Sequence, residues 1–195
     1  MVVNTIATDA RVQRSSAYVV TAVVTLCAYT RLAALPASPG ISLGVWVAIP
    51  FLVALAVTDW QVRRLPTPVV YAALASVLVA DGLGAALAHE GRFLLFGSLG
   101  MIVEWAWWRL LKGVYKDQMG WGDVRLGALL GLVIGAWGLV AVLAALFFAM
   151  VAASAYAIVK GARYRLPLGT FLVAGALVVI LIGPAPFSAP LGLWA

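Results

Sequence analysis

The run Leu139-Val-Ala-Val-Leu-Ala-Ala-Leu-Phe-Phe-Ala-Met-Val-Ala-Ala-Ser-Ala-Tyr-Ala-Ile-Val159 carries no charge until Lys160 closes it. Crossing about 30 Å of hydrocarbon takes roughly 20 mostly apolar residues in a helix, so this run is long enough to span a bilayer. Its apolar residues are continuous and do not alternate, which excludes a barrel strand, and lipid offers no partner to an open strand. Working outward, similar runs cover 17–35, 41–58, 68–88, 93–111, 124–136 and 168–183. The expectation is an all-α polytopic membrane protein, a bundle of about seven transmembrane helices. The run 124–136 is short and contains Gly127, Gly131 and Gly135, which suits a half-buried helix packed closely on its neighbours.

Composition agrees. The 195 residues are 65% apolar and 10% charged, whereas a soluble domain is about 45–50% apolar and about 25% charged. A single cysteine, Cys27, excludes a disulfide-stapled secreted domain and a four-cysteine zinc module. Lying within the first run, it reads as a small buried hydrophobe. That run is too long for a signal-peptide core and Arg31 interrupts its end, so it reads as a retained helix. No repeat or linker divides the chain. It reads as a tail at 1–16, one membrane domain at 17–183, and an extracytoplasmic tail at 184–195.

The net charge of +6 has a topological meaning. With seven passes and a cytoplasmic N-terminus, one side receives Arg11, Arg14, Arg63, Arg64, Arg109, Lys112, Lys116, Arg125, Lys160, Arg163 and Arg165. The other keeps Arg31 and Arg92. This positive-inside bias places the chain in the cytoplasmic membrane. It also removes any need for a nucleic-acid partner, leaving the lipid bilayer as the first partner.

An ionisable group near hydrocarbon is costly, so each of the seven acids is a functional candidate until explained. Asp9 and Glu90 fall in a tail and an outer loop. Asp117 lies among Lys112, Lys116 and Gln118, where a solvated charge is the plain reading. Asp81, toward the outer part of the third run, reads as a structural hydrogen-bonding group. Glu104 lies inside the fourth run beside Trp105, Trp107 and Trp108, and could pair with Arg109, snorkel or line a wet cavity.

Asp59 and Asp123 have different surroundings. Asp59 closes the second run in Thr58-Asp59-Trp60-Gln61-Val62-Arg63-Arg64-Leu65-Pro66. Asp123 opens the fifth in Met119-Gly120-Trp121-Gly122-Asp123-Val124-Arg125. Both therefore fall at the same membrane boundary. Two carboxylates at one depth can share a proton, one taking a proton from water and the other donating to a carbonyl oxygen. The plain alternative is that each is an interfacial cap. Glycines 120 and 122 permit close backbone approach. Asp is a favoured N-cap, so Asp123 is expected to cap the fifth helix. The positive end of that helix favours charge on Asp123, and the C-terminal end of the second disfavours it on Asp59.

These residues resemble the type IV prepilin peptidases. Gly120-x-Gly122-Asp123, followed by Val124-Arg125-Leu126-Gly127, is similar to that family's G-x-G-D signature. Asp59, with Arg63 and Arg64 before Leu65-Pro66-Thr67, resembles its first motif, in which Ile-Pro-Asn follows the aspartate; Thr67 stands where the family has Asn. Leu166-Pro167-Leu168-Gly169-Thr170-Phe171 resembles the stretch that opens the last helix, so the likeness runs over about 41–183. Presenilin-like proteases share G-x-G-D, but Thr58 and Leu-Pro-Leu fit them less well.

The resemblance implies an aspartic endopeptidase with Asp59 and Asp123 as catalytic pair. Gly120, Gly122, Arg63, Arg64, Pro66 and Arg125 would support the motifs. It implies removal of a short basic leader, after a glycine, from type IV pilin-like precursors (prepilin, Flp-pilin or preflagellin type), with pilus or secretion machinery as further partners. Glu104 and Asp117 are the nearby acids left to contact the leader. No metal or cofactor is implied. Neither is methyltransferase activity, since the paired-cysteine domain linked to it has no counterpart here. The competing reading is a small proton- or ion-coupled carrier in which Asp59, Asp81, Glu104 and Asp123 form a relay.

Overall fold

A computed structural model describes residues 21–34, 43–88, 91–116, 119–160 and 166–188. The described residues are all-helical and contain no strand. The helices are α1 (Thr21–Ala34), α2 (Leu43–Val62), α3 (Thr67–Ala88), α4 (Arg92–Val114), α5 (Trp121–Gly135), α6 (Leu139–Lys160), α7 (Leu168–Ile182) and the single turn α8 (Ala185–Ser188). The N-terminal tail, with Asp9, Arg11 and Arg14, and residues 189–195 lie outside the described residues, as do Glu90, Asp117, Arg163 and Arg165.

Each of the seven apolar runs contains a helix, but among the described residues only α2, α3, α4 and α6 are long and apolar enough to cross a membrane. At about 1.5 Å per residue, the 15 residues of α5 and of α7 reach roughly 22 Å, short of the hydrocarbon thickness. The expectation of about seven spans is therefore corrected to four long spans plus shorter apolar helices. Of these, α5 and α7 lie inside the bundle. From Val124 to Gly135 every residue of α5 except Arg125 is buried, and α5 packs against α2, α3, α4, α6 and α7. Helix α7 buries Leu172, Val173, Ala176, Val179 and Ile180 against α6, α2 and α5.

Lipid tails are as apolar as leucine, so close packing rather than the hydrophobic effect must hold such helices together. The α4–α5 seam is built accordingly. A Cβ on Gly100 would strike the Gly131 carbonyl oxygen, and one on Gly131 would lie 2.7 Å from the Gly100 carbonyl carbon. Outward faces carry large apolar groups such as Ile102, Trp105, Phe147 and Ile158. Helix α1 docks through Ala28 and Leu32, and the Tyr29 hydroxyl donates to the Trp46 carbonyl at 2.8 Å. Cys27, expected to be buried, is exposed on α1, because the docked face belongs to its neighbour Ala28.

Antiparallel succession brings six helix ends to one end of the bundle: the C-termini of α2, α4 and α6 and the N-termini of α3, α5 and α7. Arg63, Arg64, Arg109, Lys112, Lys116, Arg125 and Lys160 lie there, and so do both motif aspartates.

Candidate active site

Asp59 does not close a helix ending at residue 58. Helix α2 continues to Val62, which places Asp59 inside its last turn, 5% exposed. The Thr58 hydroxyl donates to the Ala54 carbonyl at 2.7 Å, and the Arg63 N–H closes the turn on the Asp59 carbonyl at 2.8 Å. Arg63 then takes φ 53°, the left-handed conformation that ends many helices and is costly outside glycine. The chain is thereby turned through Leu65 and Pro66 into α3, where the Pro66 carbonyl accepts from the Val69 and Val70 N–H groups at 3.0 and 3.2 Å.

The partner of the Asp59 side chain comes from the far end of the sequence. Helix α7 starts at Leu168 after Pro167, and the Thr170 N–H in its first turn donates to Asp59 Oδ2 at 2.9 Å. The Thr170 hydroxyl donates to the Ala56 carbonyl at 2.9 Å and lies 3.4 Å from the same Oδ2. One hydroxyl has one proton, so the shorter bond to Ala56 anchors Thr170 and the backbone N–H holds the carboxylate. Gly169 is required beside it: a Cβ there would lie 2.9 Å from Asp59 Oδ2.

Asp123 is not the N-cap of α5. Gly120 occupies that position with extended backbone, and Asp123, three residues on, accepts the Gly120 N–H on Oδ2 at 3.2 Å. This is the returning half of a capping box; glycine, having no side chain, supplies no other half. Sequence order concealed the local geometry, since the helix starts two residues before the acid that signalled it. The expected contrast in helix-end electrostatics is corrected too. Asp59 lies at the C-terminal end of its own helix but against the N-terminus of α7, so both carboxylates accept a backbone N–H at a helix N-terminus.

The loop before Asp123 is held by Lys112, whose ammonium donates to the Lys116 carbonyl at 2.7 Å and the Met119 carbonyl at 2.5 Å. Behind Asp123, the Arg125 guanidinium donates to Thr67 Oγ1 at 2.8 Å and lies 5.6 Å from the Tyr71 ring centroid. Thr67 thus links the two motifs across the α3–α5 contact.

Leu65 brings the halves together. A Cβ on Gly122 would lie 2.9 Å from Leu65 Cβ and 3.3 Å from its Cδ1; one on Gly169 would lie 3.1 Å from the same Cδ1. The residue before Asp123 and the residue before Thr170 therefore both adjoin one methyl group of Leu65. Asp123, half-buried, is within electrostatic range of Asp59 and of Lys112. Aromatic rings flank both sides. Trp60 and Phe171 each pack on Tyr156, at 5.6 and 5.4 Å between centroids. Arg109 and Lys112 lie over the Trp121 ring at 5.1 and 5.8 Å.

The remaining candidates separate from this cluster. Arg63 and Arg64 are exposed. Glu104 is 7% exposed and accepts the Trp108 indole N–H at 2.6 Å; Arg109, a candidate partner for it, lies over Trp121 instead. Glu104 lines a cavity of about 20 Å³ with Leu130, Gly131, Val142, Ala145 and Leu172, inside the bundle rather than at its mouth. Asp81, 2% exposed, accepts the Gly44 N–H at 2.8 Å at the opposite end of α2. Gly44 and Asp59 are separated by roughly 22 Å of helix, so Asp81 and the motif aspartates form no continuous chain. Asp117 lies outside the described residues. Among those residues, no three His, Cys, Asp or Glu side chains converge as metal ligands would.

Sequence reading did not assign roles to Thr170, Lys112 and Leu65. The only signal for Thr170 was its place after Leu166-Pro167-Leu168-Gly169, and Lys112 looked like one more topological charge.

Compared with known proteins, the chain matches the family model of the type IV leader peptidases over residues 46–158. That range holds both aspartates and Glu104 but stops short of Thr170, and is narrower than the expected 41–183. No curated protein matches the chain, and no solved structure does. The match covers more than half of the sequence and includes the whole of α5 and its preceding loop, and on that ground the chain belongs to the type IV leader peptidase family, membrane proteases that act on pilin-like precursors.

Proposed function

We propose that this protein is an aspartic endopeptidase that uses Asp59 and Asp123 to activate water against the peptide bond between a basic leader and an apolar helix. The reading is carried by one observation: two acids from distant motifs adjoin segments that both pack on Leu65, each acid held through a backbone N–H at a helix N-terminus. Like charges brought into one site share a proton more cheaply than both ionise. The ionised carboxylate takes a proton from water as its oxygen attacks the carbonyl carbon. The neutral carboxyl donates its proton to the carbonyl oxygen, giving a tetrahedral diol. Proton return to the amide nitrogen then breaks the C–N bond and releases leader acid and a new amino terminus.

The arginines and lysines at this end support a position at the cytoplasmic face by the positive-inside rule. There the scissile junction of a membrane-anchored precursor can be reached without unwinding a helix in mid-bilayer. Gly120, Gly122, Pro66 and Arg125 shape and join the two motif segments, and pilus or secretion machinery receives the product.

The test is cleavage of a precursor peptide by the purified protein, with a second peptide carrying a hydroxyethylene group in place of the scissile amide. Transition-state-like ligands bind more tightly than substrates, so the second peptide should inhibit well below the substrate KM. Asp59→Asn should abolish cleavage. Undiminished cleavage by that variant would refute the reading.

A further inference from the structure

The geometry points to Leu65 as the residue that selects a side-chain-free residue on the acyl side of the scissile bond. The inference rests on the dyad reading and names the specificity of the same site. A carbonyl attacked between Asp59 and Asp123 must enter the space flanked by Gly122 and Gly169, the residues adjoining Asp123 and Thr170. Leu65 walls that space. Its Cδ1 would lie 3.3 Å from a Cβ on Gly122 and 3.1 Å from one on Gly169, and 3.0–3.4 Å is tighter than ordinary carbon–carbon contact. The enzyme has removed its own side chains on both sides of this methyl, and Gly169 has none to spare against Asp59 Oδ2.

Leu65 is also difficult to displace. It is partly buried and packs on the core, and its segment is fixed from both ends. Before it, Arg63 caps α2 through the Asp59 carbonyl; after it, Pro66 starts α3 and Thr67 accepts Arg125. A substrate backbone can pass such a wall, whereas a Cβ on the residue carrying the attacked carbonyl would be driven against it. Selection of the cleavage point is thus a steric act of one leucine, separate from recognition of the leader's charge.

The test uses two precursor peptides, identical except that the residue before the scissile bond is Gly in one and Ala in the other. Wild type should prefer the Gly peptide in kcat/KM. Leu65→Ala should lower that preference about tenfold or more, the scale of one methylene in a close-fitting pocket, by gaining on the Ala peptide. In a Cys27→Ser background, Leu65→Cys provides a variant whose wall can be regrown after folding. The free thiol should accept the Ala peptide, and methylthiolation by methyl methanethiosulfonate, which forms the S–S–CH₃ adduct and releases methanesulfinate, should restore discrimination. An unchanged Gly/Ala ratio in the Leu65→Cys enzyme before and after methylthiolation would overturn the assignment. Asp59→Asn in the same assay separates the readings. If it cleaves, the dyad fails; if it is inactive while the ratio ignores residue 65, only the role of Leu65 fails.

Discussion

Thr170 holds Asp59 through its backbone and is itself anchored by its hydroxyl on the Ala56 carbonyl. Thr170→Val keeps the shape and the N–H but removes that anchor, a net loss of about 1 kcal/mol for one hydrogen bond. We expect kcat to fall several-fold with KM nearly unchanged, and Thr170→Ser to recover most of it; steady-state cleavage kinetics check both. On the other carboxylate, Lys112→Met frees the carbonyls of Lys116 and Met119 and loosens the Gly120 N–H that Asp123 accepts. A kcat loss of about tenfold is expected, whereas a change confined to KM would mean that Lys112 reads the leader. The two aspartates were legible in the sequence because charge is rare there and each must be explained. Their supports were not. Thr170 lies 111 positions from Asp59, and nothing local distinguishes Lys112 from a topological lysine.

At the scale of elements, continuous apolar runs predicted every described helix but the single turn α8, since lipid leaves the backbone no other way to satisfy itself. Helix ends were less legible, being set by partners elsewhere. Helix α2 runs on to Val62, where Arg63 turns left-handed, and α5 starts at Trp121 because Gly120 takes the extended N-cap. Span number was overread for a similar reason: hydropathy scores α5 and α7 like lipid-facing helices, although their apolar side chains are spent on neighbours. The α4–α5 seam carries α5 to the site, so Gly131→Val should push the helices apart at the Gly100 carbonyl. A loss of about 3 kcal/mol or more follows from such overpacking. It should be visible as a lower detergent-unfolding midpoint, while Gly113→Ala, helical and with open space at its Cβ, should keep or slightly raise the midpoint.

For the whole molecule, the charged end of the bundle is expected on the cytoplasmic side. In a Cys27→Ser background, Arg64→Cys should react with an impermeant thiol reagent in inside-out vesicles only, and Gly91→Cys in right-side-out vesicles only. The reverse pattern would invert the topology. The central claim is that Asp59 and Asp123, brought from two motifs to one cleft, act as a unit on water. A double-substitution cycle on leader cleavage tests it most directly, because residues that act as a unit are not additive. Asp59→Asn and Asp123→Asn should each lower kcat by about 10³-fold or more, and the double variant should be no slower than either alone. A single variant that stays within about tenfold of wild type, or losses that multiply in the double variant, would contradict the account.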